Sequence, residues 1–342
     1  MSSAARIDVV TGAFSYSGAA ISRDLQAAGH AVTTLTAHPE RAPAGSRVTA
    51  RPLDFTEPDR LAESLRGAHT LYNTYWVRFA RGAVDHEAAV TNSQILFSAA
   101  AQAGVQRIVH VSITNPSMDS PYPYFRGKAQ VEQILANSGV PYAIARPAIL
   151  FGGDGVLVNN IAWLLRRLPV FALGGDGSYR IRGIHVDDLA ALLVRLGTGS
   201  GRGNGSGSST GGSGSGGSGG SEPEIVDAVG PQSLTFREMV TAIRAAVGSR
   251  AALVPVPGRL IPALSGALGT VLRDTLLTAD EYRAMADGLA DSAGPATGPT
   301  VSTDWVRRHG SGLGRDYANE IHRHFRGQHP ASSSRRSLPG PG

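Results

Sequence analysis

Between an apolar run, Ile7 to Val10, and a helical pattern opening at Ala19, the chain reads Thr11-Gly12-Ala13-Phe14-Ser15-Tyr16-Ser17-Gly18. A strand, a tight turn and a helix start in that order make the place where a doubly wound α/β sheet holds a pyrophosphate. That chemistry needs backbone N–H groups aimed at the phosphates and a helix N-terminus behind them, which excludes side chains where the backbone approaches closely. Gly12 and Gly18 meet the need, with Phe14, Ser15 and Tyr16 between them. Ser15 stands where the middle glycine of the G-x-x-G-x-x-G pattern falls, and a small hydroxyl still fits beside a phosphate. Spaced glycines alone also mark ordinary surface turns; their place after the first strand favours the dinucleotide reading.

The pattern that follows supports a parallel sheet covered on both faces. Strand patterns at Arg6 to Thr11, Ala31 to Thr36, Val48 to Pro52, Thr70 to Thr74, Arg107 to Ser112 and Tyr142 to Arg146 alternate with helical ones. Gly29 and Gly104 fall just past two helix ends, where glycine supplies a left-handed residue. The expected organisation is a Rossmann domain over residues 1–196, a Gly/Ser-rich flexible insertion over 197–221, a small substrate lobe with some sheet-completing segments over 222–326, and a disordered tail over 327–342. In the lobe, Ile225 to Val229 and Leu253 to Val256 read as strands, Thr235 to Val247 as a helix, and Thr278-x-x-Glu281 as the capping box of another.

Composition removes several alternatives. The 342 residues contain no cysteine, which excludes disulfides and thiolate chemistry and makes the cytoplasm the simplest compartment. No metal site is expected. The stretch Leu260 to Leu272 is too short for a membrane span and is interrupted by Pro262 and glycines, leaving at most peripheral contact. The net charge of +5 comes from scattered pairs such as Arg166-Arg167 and Arg307-Arg308, which read as solvated faces; a basic balance of this kind suits an anionic cofactor better than nucleic acid.

Tyr124-Phe125-Arg126-Gly127-Lys128 opens a helical pattern running to about Ser138. Residues four apart share a helix face, so the phenol and the ammonium can point into one site. A free phenol titrates near 10, and acid work at neutral pH wants a value nearer 7, a shift of about 4 kcal/mol that a close cation in a partly dry site can supply. By itself the pair also fits a surface aromatic beside a solvated lysine; the preceding strand and loop, Asn115 to Pro123, place it near a cofactor.

With these motifs the chain resembles the extended or atypical branch of the short-chain dehydrogenases/reductases, the group of epimerases, dehydratases, reductases and NmrA-like sensors. The resemblance also rests on Asp54 after the third strand, on Asn92, on Arg146-Pro147 with Phe151-Gly152, and on Gly175-Asp176-Gly177 followed by Ile184-His185-Val186-Asp187-Asp188-Leu189-Ala190. It implies that Tyr124 exchanges the proton, that Lys128 lowers its pKa and holds the ribose, and that Ser112 or Thr114 polarises a carbonyl, because Ile113 occupies the family's usual hydroxyl position. It implies Asp54 on the adenine amino group with Phe55 behind the ring, Asn73 and Thr74 along the ribose and nicotinamide, and Pro147 and Ile149 as the nicotinamide wall. Asp54 otherwise reads as a turn residue, His185 as a fold residue, and Asp187-Asp188 as the N-cap of the next helix.

At the end of the second strand the chain has Thr36-Ala37-His38, with Arg41 close behind, where an NAD enzyme usually places a carboxylate for the ribose hydroxyls. NADP is therefore favoured over NAD, with His38 and Arg41 on the 2′-phosphate, although Arg41 also suits a solvated loop. Tyr75, Trp76, Arg78 and Trp163 are candidates for a small-molecule substrate pocket, or for the lip of the core. The helices of Asn92 and Lys128 often form a dimer face in the family the chain resembles, which leaves a homodimer open as a partner. The overall expectation is an NAD(P)-dependent oxidoreductase or epimerase/dehydratase, or else a dinucleotide sensor without turnover.

Overall fold

The structure is a computed structural model and describes residues 6–79, 85–153, 155–199 and 223–319. Along the first half run β1 (Ile7–Thr11), α1 (Tyr16–Ala27), β2 (Ala31–Thr36), β3 (Thr49–Pro52), α2 (Pro58–Leu65), β4 (Thr70–Asn73), α3 (His86–Gln102), β5 (Arg107–Val111), α4 (Pro123–Ala136) and β6 (Tyr142–Pro147). There follow β7 (Ile149–Phe151), α5 (Val156–Arg167), β8 (Val170–Gly174), β9 (Arg180–His185) and α6 (Val186–Thr198). The last part holds β10 (Glu224–Ala228), β11 (Ser233–Thr235), α7 (Phe236–Ala246), β12 (Ala252–Val256), α8 (Ile261–Leu272), α9 (Ala279–Ala286) and α10 (Ser302–His309).

Seven strands form one parallel sheet in the order β10-β6-β5-β4-β1-β2-β3. This is the Rossmann order with one strand added at the β6 edge. Neighbours in β1 show why it needs cover on both faces: Val10 packs with Ile21, Leu25 and Leu193 on the α1/α6 side, and Val9 packs with Leu61, Leu96 and Leu135 on the α2/α3/α4 side. Alternate residues of a strand face opposite ways, so two adjacent buried valines require two layers of helix. Each such side chain stabilises by roughly 1.5–3 kcal/mol.

β10 enters this sheet from beyond the Gly/Ser-rich segment and pairs with β6 in parallel, Ile225 opposite Ile144. The expected insertion lies outside the described residues from 200 to 222, as does the whole of the expected tail. Two small sheets, β11-β9-β7 and β12-β8, carry the lobe, and a third core built on Phe151, Ile161, Val240 and Trp305 fills it. β7, β8, β9 and β11 are absent from the sequence reading because short strands of three to six residues leave little alternation. One cap differs from expectation: the N-cap of α6 is His185, whose Nδ1 accepts from Asp187 N, and the two aspartates occupy the first turn. The box Thr278/Glu281 is formed in both directions. No helix among the described residues is long and apolar enough to cross a membrane.

Candidate functional site

The turn after β1 is built by its glycines. Gly12 has φ +66°, its N–H donates to Leu35 O at 3.0 Å, and its carbonyl accepts from Ser15 N at 2.8 Å. A Cβ on Gly18 would lie 2.1 Å from Gly12 O, so the loop folds directly onto the first turn of α1. Ser15 is the N-cap and its side chain makes no capping bond. The first-turn N–H groups of a helix lack intrahelical partners and attract an anion. Bare backbone, a left-handed glycine and a helix start fit a pyrophosphate. Tyr16 turns elsewhere, its hydroxyl donating to Gly152 O at 2.6 Å.

Tyr124 and Lys128 lie one turn apart on α4, and the Trp76 indole touches both. Lys128 is 2% exposed, its Nζ donates to Val111 O at 2.8 Å and lies 4.5 Å from the Trp76 ring. Trp76 in turn meets Tyr124 edge-on at 5.7 Å and stacks on His86 at 5.8 Å. It reaches this depth because residue 127 is glycine: a Cβ there would sit 2.9 Å from the indole. Burial drives the two titrations in opposite senses. The Lys128 ammonium is pushed down to about 7 by desolvation, partly offset by Glu132, while the Tyr124 phenol is raised by desolvation and then by Glu281. The Glu132 carboxylate is held by Arg146 through two bonds, of 2.9 and 2.5 Å.

The two candidate hydroxyls differ. Thr114 Oγ1 donates to Leu289 O at 2.9 Å, while Ser112 Oγ is buried with no hydrogen-bonding partner among the described residues. Asn73 is fully buried: it donates to His110 Nδ1 at 3.1 Å and accepts from Tyr75 N at 3.0 Å and Thr11 Oγ1 at 3.2 Å, which turns it into the sheet. Thr74 ties the strand ends, its Oγ1 donating to Thr11 O at 2.6 Å beside the Gly12 turn. Asp54 makes a turn, accepting from Thr56 N at 2.9 Å and Thr56 Oγ1 at 2.7 Å; these bonds lower its pKa and leave it exposed. Phe55 packs on Tyr75 at 5.0 Å. Pro147 O accepts from Thr114 N at 3.0 Å.

At the end of β2, Thr36 Oγ1 accepts from His38 N at 3.2 Å. Here the structure adds a carboxylate that the sequence reading passed over. The short turn Pro39–Arg41 carries Glu40 back between the two candidate phosphate ligands, 3.3 Å from His38 Nδ1 and 3.6 Å from Arg41 Nε.

A cavity of about 1230 Å³ opens between the start of α4, the loops after β4, β5 and β6, and the helices α5, α8 and α9. Tyr16, Tyr124 and Ile149 line it, as do Leu157, Ile161 and Leu164 on one face of α5. Of the four candidate substrate residues Arg78 alone lines this cavity, and it is engaged, by Glu281 Oε1 at 2.7 Å and Leu276 O at 3.1 Å. Tyr75 is bonded by Asn92 at 2.9 Å, Trp76 is under α4, and Trp163 lies off the cavity lining, against Tyr317 at 5.2 Å and Arg167 at 4.5 Å. His86, unmarked in the sequence, lines the cavity 5.6 Å from the Tyr124 ring; burial lowers its pKa, and its Nδ1 finds no hydrogen-bonding partner among the described residues. Its place directly after the α3 N-cap Asp85 was the available signal. No group of three or more metal-ligating side chains occurs among the described residues.

Residues 12–162 match the protein family described as NAD(P)H-binding. Among curated proteins the chain is similar to the mitochondrial NADH-ubiquinone oxidoreductase 40 kDa subunit of Neurospora crassa, 22% identical over 229 residues, 67% of this chain and 55% of that one. The chain thus spans about half the length of that relative. Among solved structures it is similar to a triphenylmethane reductase of Citrobacter sp. complexed with NADP(H), with TM-score 0.67 and 18% identity over 89% of this chain and 99% of that one. A nucleoside-diphosphate-sugar epimerase of Staphylococcus aureus gives 0.66 and 17% over 88% and 99%. The stretch that carries the Gly12 to Gly18 turn, residues 12–162, is thus similar to NAD(P)H-binding domains, and the solved structures share its Rossmann fold.

Proposed function

We propose that the protein is an NAD(P)-dependent oxidoreductase that exchanges a hydride with a small-molecule substrate. The observation that carries this reading is a juxtaposition: Tyr16 of the dinucleotide turn, Ile149 and Tyr124 line one cavity of about 1230 Å³. The dinucleotide, when bound, supplies the hydride chemistry. The chain's own residues bind and orient. Gly12, Ser15 and Gly18 receive the pyrophosphate, with Phe14 and Tyr16 flanking it. Asp54 and Phe55 take the adenine end, Thr74 the ribose side, Pro147 and Ile149 the nicotinamide. Tyr124 gives or takes the proton at a carbonyl or alcohol oxygen, and Lys128 anchors the β5 end of α4 beneath it. His38 and Arg41 favour NADP once Glu40 is drawn off. An apolar cavity supports a reductase above a nucleotide-sugar epimerase.

Titration with NADPH and NADH, followed by reduced-nicotinamide fluorescence, tests the reading. Micromolar binding of either is expected; binding of neither removes it. Tyr124→Phe should keep the affinity and lose turnover by about 100-fold or more.

A second reading, an NmrA-like dinucleotide sensor without turnover, draws on the Trp76 indole that touches both Tyr124 and Lys128 and on the Ser112 hydroxyl, which has no hydrogen-bonding partner among the described residues. Tight binding with no hydride transfer to any member of a carbonyl, quinone and iminium panel would favour it.

A further inference from the structure

Helix α8 turns an uncharged face to water. Leu260, Ala263, Leu264, Ala267, Thr270 and Val271 recur at the three- and four-residue steps of one helix face, and all six are exposed. Leu264 keeps 49% and Val271 77% of its surface in water. The opposite side is apolar as well, with Ile261 and Gly269 buried. A surface helix ordinarily carries charges outward, and one that is apolar all round is normally covered. Leu168 and Val170, also exposed, border the same cavity as Leu264, Ala267 and Val271, so the apolar surface continues across its mouth. The charges stand at the ends. Arg259 and Arg273 bracket α8, Arg250 precedes β12, and all three are exposed, with no side-chain hydrogen bond or ion pair among the described residues. From residue 249 to 279 the one carboxylate is Asp274, which is buried and accepts from the Tyr317 hydroxyl at 2.6 Å. On α9, Asp280 faces Arg283 at 3.4 Å and Glu281 faces Arg78 at 2.7 Å. The sequence outside the described residues keeps this sign: 80–84 hold one arginine and no carboxylate, and 320–342 hold four arginines and one glutamate.

We propose that α8 docks the protein on an anionic membrane surface, its outward face in the headgroup boundary and Arg259 and Arg273 on lipid phosphates. At 1.5 Å per residue the helix of 12 residues is about 18 Å long, too short to cross a hydrocarbon core of about 30 Å, so it lies along the surface. Arginine side chains are long enough to reach phosphates while their stems stay beside apolar surface. A second copy of the chain fits less well. Two α8 faces packed together, parallel or antiparallel, set arginine against arginine with no counter-charge. A bilayer containing anionic lipid supplies that charge at both ends of the helix at once. In the docked state the mouth of the large cavity adjoins lipid, since Leu264, Ala267 and Val271 belong to both. Docking is independent of the oxidoreductase reading.

Flotation of the full chain with vesicles of phosphatidylcholine, with and without about 30% phosphatidylglycerol, tests the proposal beside an NADPH titration of the same samples. The anionic vesicles should bind at least about tenfold more tightly than the neutral ones, and raising the salt from about 0.1 M to about 0.5 M should weaken that binding. Arg259→Gln with Arg273→Gln should lower the affinity by about tenfold or more. Ala263 and Thr270 lie on the outward face and outside the cavity lining, so they can be changed with the cavity left as it is. Ala263→Glu with Thr270→Glu should abolish vesicle binding, and Ala263→Leu with Thr270→Leu should tighten it by about threefold or more. NADPH affinity should stay constant in all three pairs. Failure to bind anionic vesicles overturns the proposal, as does equal binding to both vesicles or binding untouched by all three pairs. A dimer in solution that the glutamate pair dissolves would assign the face to a second copy and overturn it too. Absence of NADPH binding with vesicle binding intact would instead remove the oxidoreductase reading and leave the docking face standing.

Discussion

Lys128 donates to the Val111 carbonyl oxygen at 2.8 Å from a position 2% exposed, so the ammonium of α4 is spent on the end of β5. Its pKa falls from 10.5 to about 7 in the folded chain. Between these two values the unfolded chain binds the proton that the folded chain has released, so stability rises with pH across about 7 to 10.5 and levels off outside that window. In urea melts at pH 7, 8, 9 and 10 the wild type should therefore gain stability relative to Lys128→Met, whose curve lacks this contribution. Parallel curves would mean that Lys128 keeps its ordinary titration.

Gly18→Ala tests the dinucleotide turn. The added Cβ would meet Gly12 O at 2.1 Å, a backbone atom that moves only with the turn. A cost of about 1–3 kcal/mol in stability is expected, with NADPH affinity falling by at least about tenfold. Ala19→Gly, one residue on and exposed, controls for helix propensity. Unchanged affinity in Gly18→Ala would place the phosphates elsewhere.

Glu40→Gln tests the cofactor preference. Removing the charge frees His38 and Arg41, held at 3.3 and 3.6 Å, for a 2′-phosphate. NADPH affinity should rise by about threefold to tenfold at low salt, with NADH unchanged, since each exposed pair is worth about 0.2–1 kcal/mol. An equal effect on both cofactors would remove the 2′-phosphate from this corner.

Arg78 fastens the loop after β4 to the lobe through Glu281 and Leu276 O. Arg78→Met should loosen α9 and the cavity wall while leaving the Gly12 turn intact. Expected is about 1–3 kcal/mol lower stability with NADPH affinity within twofold. A large loss of NADPH affinity would show that Arg78 serves the cofactor directly.

The sheet was legible because its strands are buried on both faces and separated by amphipathic helices; β1, β2 and β5 begin within a residue of their sequence bounds. The substrate wall was not. α5 is apolar over most of its circumference, so nothing in the local pattern told which face met the cavity, and it is Leu157, Ile161 and Leu164 that do, with Trp163 off the lining. Trp76, read as pocket lining or as the lip of the core, packs against the core. Its burial depends on Gly127, fifty-one positions later, and contacts across such distances leave no periodic trace. Glu40 was visible as a letter, but only the turn Pro39–Arg41 brings it back to His38.

The pairing of β10 with β6 is a bond between two stretches of chain joined only by the Gly/Ser-rich segment. Such a joint adds little more than a few tenths of a kcal/mol when it is lengthened modestly. A cut there would leave each fragment's own contacts in place and make the β10–β6 pairing dependent on concentration. Residues 1–199 and 223–342, made as separate polypeptides, carry six strands and one strand of the large sheet and complementary parts of the lobe, and the β10 edge would serve as the latch by which the two fragments reassemble.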